Sequence, residues 1–263
     1  MRSTVFVPAL LVLSFVLASC SGDEANKSAD ALLAPASTNP ETIAVLDGNT
    51  NPGIIPPGAN PHGKSYGKWS ELWWQWMASA PALPNENPML DNSGELIDYA
   101  QSGSVWFIAP SLEPGIVREA TIPTGKSLFF CLTAFEASTY EGLGETEGDL
   151  RAAAAMFADL LEVHSFEVDG TAMNIGAEYR TQSDDLFCLT VPDENVFDFW
   201  GFPAEAGTYC YSVADGYYVM LAPLSAGDHV LHVSWSLLDL SADVTINLHV
   251  VGGLNGKKLR VNS

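Results

Sequence analysis

Nine short runs rich in β-branched and aromatic residues divide the chain between positions 104 and 251: 104–108, 117–122, 127–133, 165–168, 186–191, 208–213, 217–221, 230–237 and 244–251. Turn-forming residues break many of the joins, among them Pro123-Thr124-Gly125, Asp169-Gly170, Pro192-Asp193 and Asp215-Gly216. Short strands bounded by Gly, Pro and Asp leave no room for a helical crossover after each one. They predict a mainly β fold, an antiparallel β-sandwich or jelly-roll-like domain, rather than βαβ units.

Two stretches keep helical spacing instead. Tyr66, Trp69, Trp73, Trp76, Met77 and Ala80 fall on one stripe. A tryptophan buries so much area that such a stripe belongs in a core, packed on the sheet. Trp74 lies off its centre, and a run this rich in indoles is also what a sugar-stacking platform needs. Trp74, Trp106 and Trp200 are the candidate ligand-binding aromatics. The second helix starts at Thr146, where Asp149 three residues on supplies a capping box. Its apolar face is Leu150, Ala153, Ala154, Phe157, Leu160 and Leu161. The preceding acidic stretch 141–147 (EGLGETE) could offer oxygens to a divalent cation such as calcium, but it lacks the spaced Asp/Asn pattern of a known loop. A solvated loop is its plainer reading.

The last two runs alternate with period two, so Leu231, Val233, Trp235 and Leu237 share one face with Val244, Ile246, Leu248 and Val250. Pairing Leu237 with Val244 sets His232 opposite His249 on the polar face. Opposed Cβ atoms lie about 4.5–5.5 Å apart, close enough for two imidazoles to share a metal. Zinc needs further ligands that no sequence neighbour supplies, and two surface histidines are the plainer reading.

The chain opens with Arg2 and an apolar run over 5–16, too short to span the ~30 Å hydrocarbon core. Residues 1–19 read as a secretory signal. The stretch 17–20 (LASC) resembles the bacterial lipobox, cleaved before Cys20. The Cys20 sulfur would carry diacylglycerol and its amine an acyl chain; more than one chain is needed for a stable anchor. Ser21, where aspartate would favour inner-membrane retention, points to the outer membrane if there are two. Residues 20–62, rich in Ala, Asn, Pro, Gly and Ser, read as a lipidated flexible tether. That leaves 63–263 as a single domain of about 200 residues, ample for one core. The expected location is the cell envelope, lipid-anchored and extracytoplasmic.

Asp and Glu number 32 against 11 Lys and Arg, for a net charge of −21. Such a surface argues against nucleic acid as a partner, because phosphate binding rests on Lys and Arg. Beyond Cys20 three cysteines remain, Cys131, Cys188 and Cys210, and an odd count leaves one thiol unpaired within the chain. Cys188 and Cys210, in strand-like runs joined by a turn-rich segment, are the preferred disulfide.

Several motifs in order resemble a family of bacterial exported proteins: 66–76 (YGKWSELWWQW), 87–91 (NPMLD), 101–107 (QSGSVWF), 122–130 (IPTGKSLFF), 215–217 (DGY) and 223–229 (PLSAGDH). The resemblance covers most of 66–233. It implies export and one domain; the family has no assigned activity. Its usual pattern places cysteines where this chain has Ile97 and Ala120, which fits loss of one disulfide as a unit.

No GxSxG elbow, HExxH helix, phosphate loop or dinucleotide fingerprint is present. The expected role is therefore a binding or structural module of the envelope, with a glycan or an envelope protein as partner. It needs no cofactor beyond a divalent cation at most. The alternative is a hydrolase or lyase acting on an envelope or environmental polysaccharide through an unrecognised carboxylate pair.

Overall fold

A computed structural model describes residues 53–252. The expected signal peptide over 1–19, Cys20 and most of the expected tether lie outside the described residues, as does the end of the chain beyond 252. Two β-sheets pack face to face. One runs β3 (Ile116–Pro123), β11 (Leu240–Val251), β10 (Gly227–Leu237), β5 (Leu161–Val168) and β6 (Thr171–Ala172). The other is built on β9 (Gly207–Leu221), which pairs with β4 (Ser127–Ser138) along one edge. Along its other edge β9 takes β8 (Phe187–Val191), β7 (Arg180–Gln182) and β1 (Ile54–Ile55) in succession. β2 (Val105–Ile108) completes this sheet beside β4. Phe130 of β4 meets Phe166 of β5 edge to face at 5.7 Å, joining the sheets through one apolar core.

The mainly β sandwich agrees with the strand pattern, with two topological differences. β2 pairs with β4, and β3 with β11, in parallel. In addition, the runs 208–213 and 217–221 are one strand. Asp215-Gly216, read from sequence as a turn, lies inside β9. Gly216 is there for clearance: a Cβ at this position would sit 2.4 Å from Ala134 Cα of the neighbouring strand. Asp215 is buried and accepts from Arg180 Nε at 2.9 Å.

Both foreseen helices form. α1 (Tyr66–Ala78) is capped by Ser65, whose hydroxyl accepts from Lys68 N–H at 2.9 Å. α2 (Glu147–Ala158) opens on the Thr146/Asp149 capping box, with both reciprocal hydrogen bonds made. Its apolar side stacks Phe157 on Phe135 of β4 at 4.1 Å. A third, short helix, α3 (Val196–Trp200), was not foreseen. None of the helices among the described residues is long and apolar enough to cross a membrane.

The boundary at 62 is corrected: residues 53–62 belong to the folded body. Ile54 and Ile55 pair with Leu221 and Met220, and Ile54 is 2% exposed. Tyr66 Oη donates to the Ile55 carbonyl at 2.6 Å and Trp69 Nε1 to the Pro61 carbonyl at 2.9 Å. A proline-rich average hides one isoleucine pair, yet that pair is enough to occupy an open stretch of β9.

The C-terminal hairpin keeps the expected faces but not the expected register. Leu237 pairs with Leu240, not Val244, across a tight turn at Leu238 and Asp239. The displacement is an even number of residues, so apolar side chains still point inward. The price is a left-handed Leu238, φ +52°.

Candidate functional site

The tryptophan helix is structural. Trp69, Trp73, Trp74 and Trp76 are all buried, and each indole N–H is spent inside the fold. Trp73 Nε1 donates to the Ile108 carbonyl at 2.9 Å, Trp74 Nε1 to Tyr218 Oη at 3.1 Å, and Trp76 Nε1 to the Tyr99 carbonyl at 2.8 Å. Trp74, a candidate ligand-stacking residue from its off-stripe position, is therefore corrected to a core strut. Trp106 is half-buried on β2, with Lys126 Nζ 5.9 Å from its ring centre. Trp200 is half-buried at the end of α3, edge to face with Phe199 at 4.9 Å.

The shared metal at His232 and His249 is also corrected. His232 lies opposite Thr245, and His249 lies opposite Asp228. The shifted register separates the imidazoles by four positions along the hairpin, roughly 13 Å at ~3.3 Å per residue. Each is matched to an acid instead. His249 Nδ1 contacts Asp228 at 2.7 Å and Nε2 contacts Glu119 at 3.5 Å; His232 Nε2 contacts Asp243 at 3.1 Å. His229 contacts Asp169 at 2.7 Å. The bond to Asp228 raises the His249 pKa; at His229, burial opposes the rise but Asp169 outweighs it. The His232 and His249 pairs join neighbouring strands across the polar outer face of the five-stranded sheet, while His229, out of phase with them at the start of β10, ties that strand to the turn after β5. No group of three or more His, Cys, Asp or Glu side chains among the described residues is arranged to hold a metal.

Arg118 points inward from β3 into a recess lined by Trp76, Asp91, Ile97 and Phe107, with an accessible volume of about 10 Å³. That is room for roughly one water. Arg118 donates to the Ala109 carbonyl at 2.8 Å, and burial pulls its pKa down to about 10. Here the loop carrying Ile97 leans on β3, where Ala120 is buried; Glu119 N–H donates to the Ser93 carbonyl at 2.8 Å. The region is a tight junction between loop and strand, too small for a ligand.

Aromatic side chains do reach solvent at one end of β9. Asn195 caps α3, accepting from the N–H groups of Phe197 and Asp198, and Gly201 ends it at φ +92°. The short helix sets buried Phe197 against Tyr140 at 5.1 Å and Tyr209 at 5.3 Å, with the two tyrosine rings 4.4 Å apart. Tyr209 Oη donates to the Glu205 carbonyl at 2.9 Å, and Tyr140 Oη donates to the Pro203 carbonyl. Loss of water contact, then Tyr209, Asp198 and Glu205, push the Tyr140 phenol up. Between them the phenols secure the loop after α3.

Two residues beyond Tyr209 the ladder changes step. Phe187 pairs with Ser212 but Cys188 with Cys210, which leaves Tyr211 as a bulge at φ +67°. A bulky residue seldom adopts the left-handed region, and such strain gathers at functional sites. Tyr211 is 60% exposed. Its carbonyl accepts from Thr139 N–H at 3.3 Å, joining the turn that carries Tyr140 to the bulge. Directly beside it the Cys188–Cys210 disulfide, with Cα atoms 3.9 Å apart, fixes β8 to β9. Among the described residues, Cys131 is the free thiol, and it is buried.

Tyr140 and Tyr209, ring against ring, and the exposed bulge residue Tyr211, tied through its carbonyl to the turn that bears Tyr140, make up the candidate aromatic patch, with Phe199 and Trp200 on the nearby α3. Of these only Trp200 was anticipated. The available signal was the pair of tyrosines flanking a cysteine, Tyr209-Cys210-Tyr211; the bulge at Tyr211 breaks the strand alternation, so pattern alone does not set their faces. No protein family, curated protein or solved structure matches the chain.

Proposed function

We propose that this chain is a lipid-anchored, extracytoplasmic protein of the cell envelope that binds glycan through the Tyr140, Tyr209 and Tyr211 patch. The observation that carries the reading is Tyr211, 60% exposed on a positive-φ bulge and held beside a disulfide. Rings presented on a rigid support lose little entropy when a sugar ring stacks on them. The acids around the patch, Asp198 and Glu205, disfavour an anionic polymer and leave uncharged or amine-bearing glycans. Catalysis has less support. Glu136 and Glu141 are a close carboxylate pair, but Glu136 is only 6% exposed, out of reach of a polymer.

Retention on isolated cell-wall sacculi and a panel of insoluble polysaccharides tests the reading. Tyr211→Asn removes the ring and keeps a residue that tolerates left-handed backbone. Truncating an aromatic hot spot costs ~2 kcal/mol or more, so retention falls at least tenfold, while Trp106→Ala retains wild-type binding. Unchanged retention in Tyr211→Asn overturns the patch, and no retention on any glycan overturns the function. For the anchor, Cys20→Ala releases the protein from membranes or leaves the signal uncut; a processed, still membrane-bound variant refutes it.

A further inference from the structure

Glu136, Ser138 and Ser212 share one face of the β4–β9 ladder. Ser138 is directly opposite Ser212, and Glu136 lies two residues along from Ser138, opposite Ala214. Glu141 folds back onto them from the turn after β4. One of its oxygens, Oε2, accepts from Ser138 N–H at 3.0 Å and from the Ser138 hydroxyl at 2.8 Å. Glu136 is 6% exposed and Ser212 is 0% exposed. Phe135 and Ala137, on the opposite face, pack toward α2.

This arrangement is not self-sufficient. Glu136 Oε1 and the Ser212 hydroxyl are both buried with no hydrogen-bond partner. Ser212 and Glu141 lie close enough for side-chain hydrogen bonding to bear on the Glu136 carboxyl, but neither closes a bond of good geometry to its Oε1. Two carboxylates brought together in a low-dielectric setting repel, and burying an unpaired charge is costly. A bare buried pair of this kind needs either a shared proton or a positive ion. Burial, then Glu141, raises the Glu136 pKa well above the usual carboxylate range.

We propose that Glu136, Ser138, Glu141 and Ser212 form a binding site for one hard divalent cation, calcium by its ligand chemistry. The two carboxylates and two hydroxyls carry six oxygens, and calcium takes 6–8 oxygen ligands in flexible geometry. No nitrogen or sulfur ligand is among them, which disfavours zinc and copper. Magnesium holds its waters and its octahedron too tightly for a buried, irregular oxygen set. A bound ion neutralises both glutamates and gives Glu136 Oε1 and the Ser212 hydroxyl the partner they lack. Glu141 and Ser212 directly follow Tyr140 and Tyr211 in sequence, so the ion would also brace the turn and bulge bearing those rings. The site does not depend on the glycan reading.

The test is a calcium chloride titration of chelator-stripped protein at pH 7.5, followed by calorimetry and thermal melting. At ten times the dissociation constant, wild type melts roughly 3–6 °C higher than without calcium. Glu136→Gln keeps the shape of the protonated residue, so it folds; it melts higher than calcium-free wild type and loses the calcium response. Ser212→Ala weakens calcium binding roughly tenfold, the worth of one lost ligand. The proposal is overturned if wild type shows neither heat nor a melting shift up to 10 mM calcium (on the order of a millimolar-range site). It is equally overturned if Glu136→Gln responds as wild type does, which would assign the binding to the acidic surface.

Discussion

Replacing Ile54 with alanine separates a tether from a structural strand. Ile54 is 2% exposed, pairs with Leu221 and lies in the main core. Cutting a buried isoleucine to alanine costs ~2–5 kcal/mol, with the low end applying where the surroundings can close over the void. β1 is only two residues long and has no strand on its outer side among the described residues, so about 2–3 kcal/mol is the expected loss. For a domain of this size each kcal/mol moves Tm by ~2–4 °C, which gives a drop of about 4–12 °C. Ala59→Ser is the control: exposed, five residues on, and expected to stay within ~0.5 kcal/mol. Urea unfolding gives the free energy and calorimetry the Tm. A drop below about 1 °C for Ile54→Ala would refute the assignment of 53–62 to the folded body.

Trp74→Phe removes the donor to buried Tyr218 Oη and should cost about 1–3 kcal/mol in urea unfolding; a solvent-facing platform residue would cost almost nothing. Leu238→Gly relieves a left-handed leucine at φ +52° and should stabilise by ~0.5–1 kcal/mol, raising Tm by about 1–4 °C. The raised pKa values of His229 and His249 set a pH dependence: their contribution is full below the ordinary histidine pKa of ~6.5 and fades as pH rises through the folded values. Melting curves from pH 5.5 to 8.5 should fall with pH, and the double change His229→Gln, His249→Gln should flatten that slope; an unchanged slope would show the pairs are idle.

What the sequence conveyed was side-chain parity and local capping; what it withheld was anything decided by a distant neighbour. The alternation over 230–251 gives the correct inward faces, yet any even slip preserves them, and Leu238-Asp239 carries none of the Asn-Gly or Asp-Gly chemistry that marks a two-residue turn. Thr146 and Asp149 announce the start of α2 because a capping box is local. Trp74 misled because α1 is covered on more than one side, by β8 as well as by Tyr218 of β9, so a residue off the main stripe is buried too. The mainly β class was legible from strand length and turn residues, while the parallel pairs were not, since pattern says nothing of direction. The candidate patch draws on Tyr140, Phe197 and Tyr209, three elements that meet only after the chain has folded. Even the short α3 had its signals, Asn195 before it and Gly201 after, but five residues are too few to show a period.

Strand β9 imposes an order of events on folding. Ile54, at the start of the described body, is hydrogen-bonded beside Leu221, and β4, β7 and β8 also wait for the same fifteen-residue segment. Likewise β3 gains its only partner among the described residues when β11 arrives. Contacts of such long sequence separation are closed late and slowly, on the ms–s scale of high-contact-order β proteins. A chain interrupted before position 207 would hold neither sheet, because each lacks the strand around which it is ordered. During synthesis the leading three-quarters of the described body therefore waits until the last quarter emerges, and the whole domain locks in one cooperative step.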